Sequence, residues 1–281
     1  MTVATDQRSG AFVDVQGTPT YYHEAGSGEP VLLLHGSGPG VSAWANWQHT
    51  IPVLARGARV LAPDGLGYGQ TAKPTDVRYS LRTWSDHVWG FLEALGLEQV
   101  SIVGNSLGGR IALQMAEDAP HRISRLVLMG TPGVGMRATE GLTALRAYQP
   151  SLAAMRELLT SYFAVDTSII TEELVRIRYE ASVAPGAHEA YRAMFLDPHS
   201  AGNELAISEQ QTRATAIATL LVHGLQDKVI PVEVAWNMAR LLPDADLHVF
   251  ARCGHWTQIE RADEFNRLVA GFLGIEPAAA A

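Results

Sequence analysis

Short apolar runs punctuate the chain, and each ends on turn residues. Residues 31–34 (VLLL) stop at His35-Gly36, 59–62 (RVLA) at Pro63-Asp64-Gly65, and 100–103 (VSIV) at Gly104. Further on, 126–129 (LVLM) stop at Gly130, 219–222 (TLLV) at His223-Gly224, and 247–250 (LHVF) lead into Cys253-Gly254-His255. Runs without polar alternation fit strands covered on both faces, as in a parallel sheet between helix layers. Between them the period changes. Residues 81–95 place Trp84, Val88, Phe91, Leu92 and Leu95 at helical spacing before Gly96, and 262–273 do the same with Phe265, Leu268, Val269 and Phe272 before Gly274. Residues 12–15 and 21–22, with Gly17 between, predict an antiparallel hairpin at the sheet edge. The alternation of strand and helix predicts an α/β layered fold.

That rhythm breaks between 132 and 208. No buried-strand run occurs there, but helical stretches follow one another at 142–148, 152–163, 171–182 and 188–195. Thr171-Glu172-Glu173-Leu174 opens as a capped helix with acids in its first turn. The chain therefore divides into a core of 1–131 and 209–281 and an inserted helical lid of 132–208. No internal repeat or low-complexity tract is apparent.

Composition narrows the function classes. The 281 residues are 47% hydrophobic and 18% charged, ordinary for a globular protein. A formal charge of −8 without a Lys/Arg cluster argues against a nucleic-acid partner. The lone cysteine, Cys253, allows no intrachain disulfide and no cysteine-based zinc site. The first residues, MTVATDQRSG, lack a signal-peptide core, and no stretch has the length to span a bilayer. A cytoplasmic location is the expectation.

The candidate chemistry sits at the strand ends. In GNSLGG, residues 104–109, a serine stands among glycines between a strand and a helix, the setting of a nucleophile exposed on a sharp turn. A serine hydroxyl needs a base, and the base an orienter. Asp227 and His255 follow the next buried runs in that order, and in a parallel sheet such loops emerge on one edge. His255 would take the serine proton while Asp227 holds its tautomer. Read singly, Asp227 is also a helix cap before Val229-Ile230-Pro231, and His255 a turn histidine. HGSGPG, residues 35–40, lies where a second oxyanion donor is expected, so backbone N–H groups near Ser37 could join that of Leu107. No Lys-Ser/Thr pair follows those glycines, which makes a phosphate loop a poor fit.

Other polar residues read as structural. Cys253 is expected to pack beneath its loop, Asp64 to brace a turn, and Arg110 to lie on a helix face. Arg176 and Arg178 point in different directions from one helix, so at most one faces a pocket. His23, His49, His87 and His121 are expected at surfaces, and the ten histidines assemble no metal site.

HGSGPGVSAWANW (35–47), GNSLGG (104–109), LVLMG (126–130), DTSIITEELVRIRYEAS (166–182) and HVFARCGHWTQIERADEFNRLV (248–269) resemble the meta-cleavage product hydrolases, carbon–carbon bond hydrolases of the α/β-hydrolase fold. The resemblance spans nearly the whole chain. It implies a triad of Ser106, Asp227 and His255, an oxyanion hole at Ser37 and Leu107, and dienoate binding by Asn46, Asn105, Arg178 and Trp256. It also implies hydrolysis of the C5–C6 bond of 2-hydroxy-6-oxohexa-2,4-dienoates after the dienol becomes a keto form. Neither metal nor organic cofactor is implied, and a homo-oligomer is. The lid and tail are most similar to the 2-hydroxymuconic semialdehyde hydrolase branch, with aldehyde or short-alkyl ketone substrates. Substrate size would depend on lid side chains such as Met136, Leu145, Tyr148, Phe163 and Met194. Arg110 departs from the pattern, which has a smaller residue there. Two other readings stay open: a carboxylesterase or thioesterase of the same fold, and a ligand-sensing protein on a hydrolase scaffold.

Overall fold

Eight strands form one sheet in the computed structural model, which describes residues 10–195 and 205–275. They are β1 (Ala11–Val15), β2 (Thr18–Ala25), β3 (Pro30–Leu34), β4 (Arg59–Pro63), β5 (Val100–Asn105), β6 (Ile123–Met129), β7 (Thr219–Gly224) and β8 (Ala245–Phe250). Their order is β1-β2-β4-β3-β5-β6-β7-β8. β1 and β2 form the expected hairpin, and β2 runs antiparallel to β4; every later pairing is parallel. Gln16 and Gly17 both have positive φ, 52° and 85°, which matches the twist of a two-residue hairpin turn.

The apolar runs are buried on both faces for the reason the pattern suggests. Successive side chains point to opposite sides of the sheet. Leu32 and Leu61 join one core with Trp84 and Phe91, while Leu33 and Val60 join the other with Trp47 and Phe265. The covering helices are α1 (Ala43–Trp47), α2 (Ile51–Leu54), α3 (Leu81–Ala94) and α4 (Leu107–Asp118) in the first half of the chain. Between β6 and β7 come α5 (Glu140–Ala147), α6 (Leu152–Leu158), α7 (Glu172–Ser182), α8 (Ala187–Phe195) and α9 (Glu209–Ala214), followed after β7 by α10 (Val232–Ala239), α11 (Thr257–Glu260) and α12 (Ala262–Leu273). Gly274, at φ 71°, ends α12 as anticipated.

Within the insertion the helices match the periodicity closely. The Thr171 hydroxyl caps α7 by accepting from Leu174 N. One expectation is corrected: 152–163 is not a single α-helix. After Leu158 the chain winds one π turn, Leu159–Phe163, and the Thr160 hydroxyl donates back to the Arg156 carbonyl at 2.8 Å. π turns cluster at functional sites, and this one delivers Phe163 to the loop carrying His255.

Register decides where the loops leave the sheet. Asn105 lies beside Met129, Met129 beside Val222, and Val222 beside His248. The C-terminal ends of β5, β6, β7 and β8 are thus nearly level, and the segments that follow β5, β7 and β8 rise from one edge.

Candidate active site

Ser106 occupies the turn between β5 and α4 with φ 52° and ψ −115°, a conformation unfavourable to any residue with a β-carbon. Such a residue costs about 1–3 kcal/mol and persists only when its surroundings over-determine it. They do so here. The Ser106 N–H donates to Met129 O at 2.8 Å, and its carbonyl accepts from Arg110 N at 3.1 Å. A β-carbon on Gly108 would lie 2.2 Å from the Leu34 carbonyl oxygen, and one on Gly104 would lie 2.6 Å from Gly109 Cα. These glycines let α4 sit flush on β3 and β5, and the turn is held tight.

Asp227 and His255 meet as their order in the chain suggests. His255 Nδ1 donates to Asp227 Oδ2 at 2.7 Å. The other carboxylate oxygen accepts from Val229 N at 2.8 Å and Ile230 N at 2.9 Å, so Asp227 is both turn brace and partner of the imidazole. Burial pushes its pKa upward. The neighbouring His255 and His223, through charge and hydrogen bonds, outweigh that and hold the carboxyl well below the usual range. His223 Nε2 lies 3.4 Å from Asp227 Oδ2, the oxygen that faces His255, and donates to Ile230 O at 2.8 Å. The contact fixes which ring nitrogen of His255 faces the carboxylate and turns Nε2 away from it.

The loop after β3 completes this edge. His35 Nδ1 donates to Gly36 O at 2.7 Å, and its Nε2 accepts from Gly65 N at 2.8 Å, so the ring ties the loops after β3 and β4 together. Asp64 braces that neighbour as expected: Oδ1 accepts from Ala43 N at 2.7 Å and Oδ2 from Gln70 N at 2.8 Å. Ser37, Ser106, Leu107 and His255 line one cavity of about 20 Å³, with Leu142, Leu145, Tyr191 and Phe195 of the insertion opposite. Leu107 N is the first amide of α4 and has no intrahelical acceptor.

The four residues implied for a dienoate do not line this slot. Two of them neighbour the Gly36-Ser37-Gly38 segment that leads to it: a β-carbon on Gly36 would lie 2.6 Å from Asn105 Oδ1, and one on Gly38 3.7 Å from Arg178 Nη2. Asn105 Nδ2 donates to Met129 O at 3.4 Å. Arg178 is buried, its guanidinium carbon 5.5 Å from the Trp256 ring centre, and no described acidic side chain pairs with it. Burial, opposed only by Tyr148, lowers its pKa from 12.5 to about 10. Arg178 Nε and Asn46 Nδ2 are buried without hydrogen-bond partners among the described residues. Arg176 instead points outward and pairs with Glu180 at 2.9 Å.

Several expectations are corrected by packing. Arg110 is buried rather than displayed on a helix face, and His23 is buried rather than at a surface. Of the insertion side chains named for substrate size, only Leu145 lines the slot. Tyr148 is bonded to the Ser182 hydroxyl at 3.0 Å, and Phe163 packs edge-on to His255 with ring centres 5.6 Å apart. Met194 is fully buried against the position of Gly67. Sequence reasoning missed Tyr191 and Phe195, whose i, i+4 spacing on α8 was the available signal. It also missed Glu260, whose carboxylate accepts from Gly254 N at 2.7 Å, Val165 N at 2.7 Å and Asp166 N at 3.0 Å. Cys253 does pack beneath the loop, and burial pushes its thiol far up.

Comparison with known proteins bears on this geometry. Residues 29–262 match the family model of the alpha/beta hydrolase fold. Over 265 residues the chain is 48% identical to the 2-hydroxymuconate semialdehyde hydrolase of Pseudomonas sp. strain CF600, spanning 94% of this chain and 93% of that one. It is 46% identical over 268 residues to the 2-hydroxy-6-oxo-2,4-heptadienoate hydrolase of Pseudomonas putida, spanning 95% and 97%. The 2-hydroxy-6-oxo-6-phenylhexa-2,4-dienoate hydrolase of Burkholderia cepacia is 35% identical, with 90% of each chain covered. Among solved structures, a mutant of the meta-cleavage product hydrolase from Pseudomonas fluorescens IP01, complexed with acetates, superposes with a TM-score of 0.91 at 46% identity, covering 94% of this chain and 97% of that one.

Proposed function

The chain belongs to the meta-cleavage product hydrolases of the α/β-hydrolase fold, and from that premise we propose that it hydrolyses the C5–C6 bond of 2-hydroxy-6-oxohexa-2,4-dienoates. The substrates are 2-hydroxymuconic semialdehyde and its short 6-alkyl ketones, and the insertion 132–208 serves as a lid over the site. The greater identity to relatives named for the semialdehyde and the heptadienoate than to one named for a phenyl substrate supports this choice. So does the tight slot at Ser106.

Arg178 is the observation that carries the reading past a simple esterase. A buried guanidinium with no acid beside it among the described residues is costly unless an anion arrives with the substrate. A planar fork of donors suits a carboxylate. In the proposed reaction Arg178 holds the dienoate carboxylate, with Asn46, Asn105 and Trp256 around the hydroxy-acid end. His255 moves the proton of the 2-hydroxyl, which ends on C5, so that the dienol becomes a keto form able to accept the electrons of the breaking bond. The C6 carbonyl is then attacked by Ser106 Oγ, or by a water that Ser106 positions, and His255 takes the proton. The developing oxyanion is held by the N–H groups of Ser37 and Leu107, donors worth roughly 3 kcal/mol each in such sites. The C5–C6 bond breaks, giving 2-hydroxypenta-2,4-dienoate and formate, or a carboxylic acid from a ketone. A water supplies the remaining hydroxyl and proton.

The test is the loss of visible dienolate absorbance with purified protein. Rapid bleaching of the semialdehyde and its 6-methyl ketone, slow bleaching of the 6-phenyl ketone and near silence in Ser106→Ala are expected. Turnover of simple esters with no bleaching would replace this reading with the esterase. A cytoplasmic homo-oligomer is part of the same proposal, checked by light scattering of the purified protein.

A further inference from the structure

Beside the slot at Ser106 lies a much larger cavity of about 400 Å³, between the loops after β3 and β4 and helices α7 and α8 of the insertion. That volume suits a small molecule, whereas the slot has room for about one water. Tyr191 lines both spaces. Its ring is buried and its hydroxyl donates to Leu145 O at 2.7 Å, so one hydrogen bond helps fix the partition between them.

The larger cavity is lined by polar as well as aromatic side chains. His23 and Tyr68 line it, with His23 Nδ1 and Tyr68 Oη buried in its wall. Lys73 Nζ directs two of its three donors to Gly69 O at 2.6 Å and Thr71 O at 3.3 Å, which leaves one for a ligand. His188 lines the cavity from α8. The one carboxylate among the described residues of the lining, Asp64, already accepts a backbone N–H on each oxygen. Trp44 and Tyr68 add flat aromatic surface. Donors beside aromatic faces match a flat, conjugated ligand that carries a carboxylate and further oxygens.

We propose that this cavity is an antechamber in which the dienoate is held by Lys73 and His188, and that displacement of Tyr191 admits it to the slot at Ser106. The inference rests on the proposed function, since it takes the same substrate. It answers a physical difficulty: an anion must enter a protein of net charge −8 to reach a buried arginine.

The experiment measures association of 2-hydroxymuconic semialdehyde with Ser106→Ala protein by stopped flow. Adding Lys73→Gln or His188→Gln lowers the association rate constant about five- to tenfold, and Lys73→Arg restores it. The dependence on salt weakens along with the rate in Lys73→Gln, which removes a cation. Lys73→Gln also removes the bonds to Gly69 and Thr71, so a thermal melt accompanies it, and His188→Gln carries the test alone if that turn loosens. Association within twofold of the parent in the folded Gln variants, while the protein with Ser106 still cleaves the dienoate, overturns the antechamber and leaves the activity standing. No cleavage by the protein with Ser106 overturns the activity, and the antechamber falls with it.

Discussion

The carbonyl of Phe163 accepts the backbone N–H of His255 at 2.8 Å. The insertion and the loop bearing the imidazole are therefore one hydrogen-bonded piece. Glu260 reinforces the joint, because its carboxylate accepts from Gly254 on the loop and from Val165 and Asp166 on the insertion. Without that anion, three backbone donors lose their acceptor together.

Glu260→Gln keeps the shape but only one acceptor oxygen, and its NH₂ faces donors. It is expected to destabilise the protein by about 2 kcal/mol and to lower kcat roughly tenfold, with KM little changed. Steady-state kinetics beside a denaturant melt check this. An equal loss of stability with unaltered kcat would make Glu260 a purely structural strap.

The roles given to the triad separate in time. Ser106→Ala should cut carbon–carbon cleavage by roughly three to six orders of magnitude while still converting dienol to keto form, and His255→Ala should lose both steps. Asp227→Asn, which removes the anion facing His255 Nδ1, should cost about 10⁴ in kcat. Stopped-flow spectra of the dienolate and keto forms distinguish these outcomes.

In the proposed reaction Arg178 trades stability for binding. The depression of its pKa from 12.5 to about 10 corresponds to roughly 3 kcal/mol of burial cost. Arg178→Met should therefore raise the melting temperature of the ligand-free protein by several degrees and raise KM at least about 30-fold. Because the folded pKa lies below the unfolded one, the penalty is full below about pH 10 and relaxes as pH rises toward 12.5. Dienoate affinity should fall over the same rise as the guanidinium loses its proton. Calorimetry across that range reads both effects.

The elbow tolerates no side chain at Gly108. A β-carbon 2.2 Å from Leu34 O meets backbone, which cannot rotate away. Gly108→Ala should destabilise by about 2–3 kcal/mol or more and move α4 off β3, with loss of activity. A melt of purified Gly108→Ala measures it, and near-parental stability would contradict the tight seat described for α4.

Cys253 is fully buried, and its thiol is pushed far up by burial and by nearby Glu260. It should resist iodoacetamide at pH 8 in the folded protein and react at once on unfolding. Mass spectrometry before and after denaturant decides this.

How much of this was legible in the linear chain depended on how local each feature is. The strands, the hairpin turn, the cap at Thr171 and the elbow glycines are set by a residue and its near neighbours: backbone angles, burial period and end-capping chemistry are written within a few positions. The order Ser106, Asp227, His255 was legible too, because each follows a strand and parallel strands deliver their loops to one edge. Other features were decided in three dimensions. The seat of His255 Nδ1 on Asp227 follows from the β7–β8 register. The burial of Arg178 and exposure of Arg176, the burial of His23 and Arg110, and the three-way grip of Glu260 depend on which wall meets which helix. The partition at Tyr191 does as well. Those contacts join residues tens of positions apart, through packing that no window of sequence contains. Local chemistry named the candidate reacting groups, and tertiary packing determined what surrounds them.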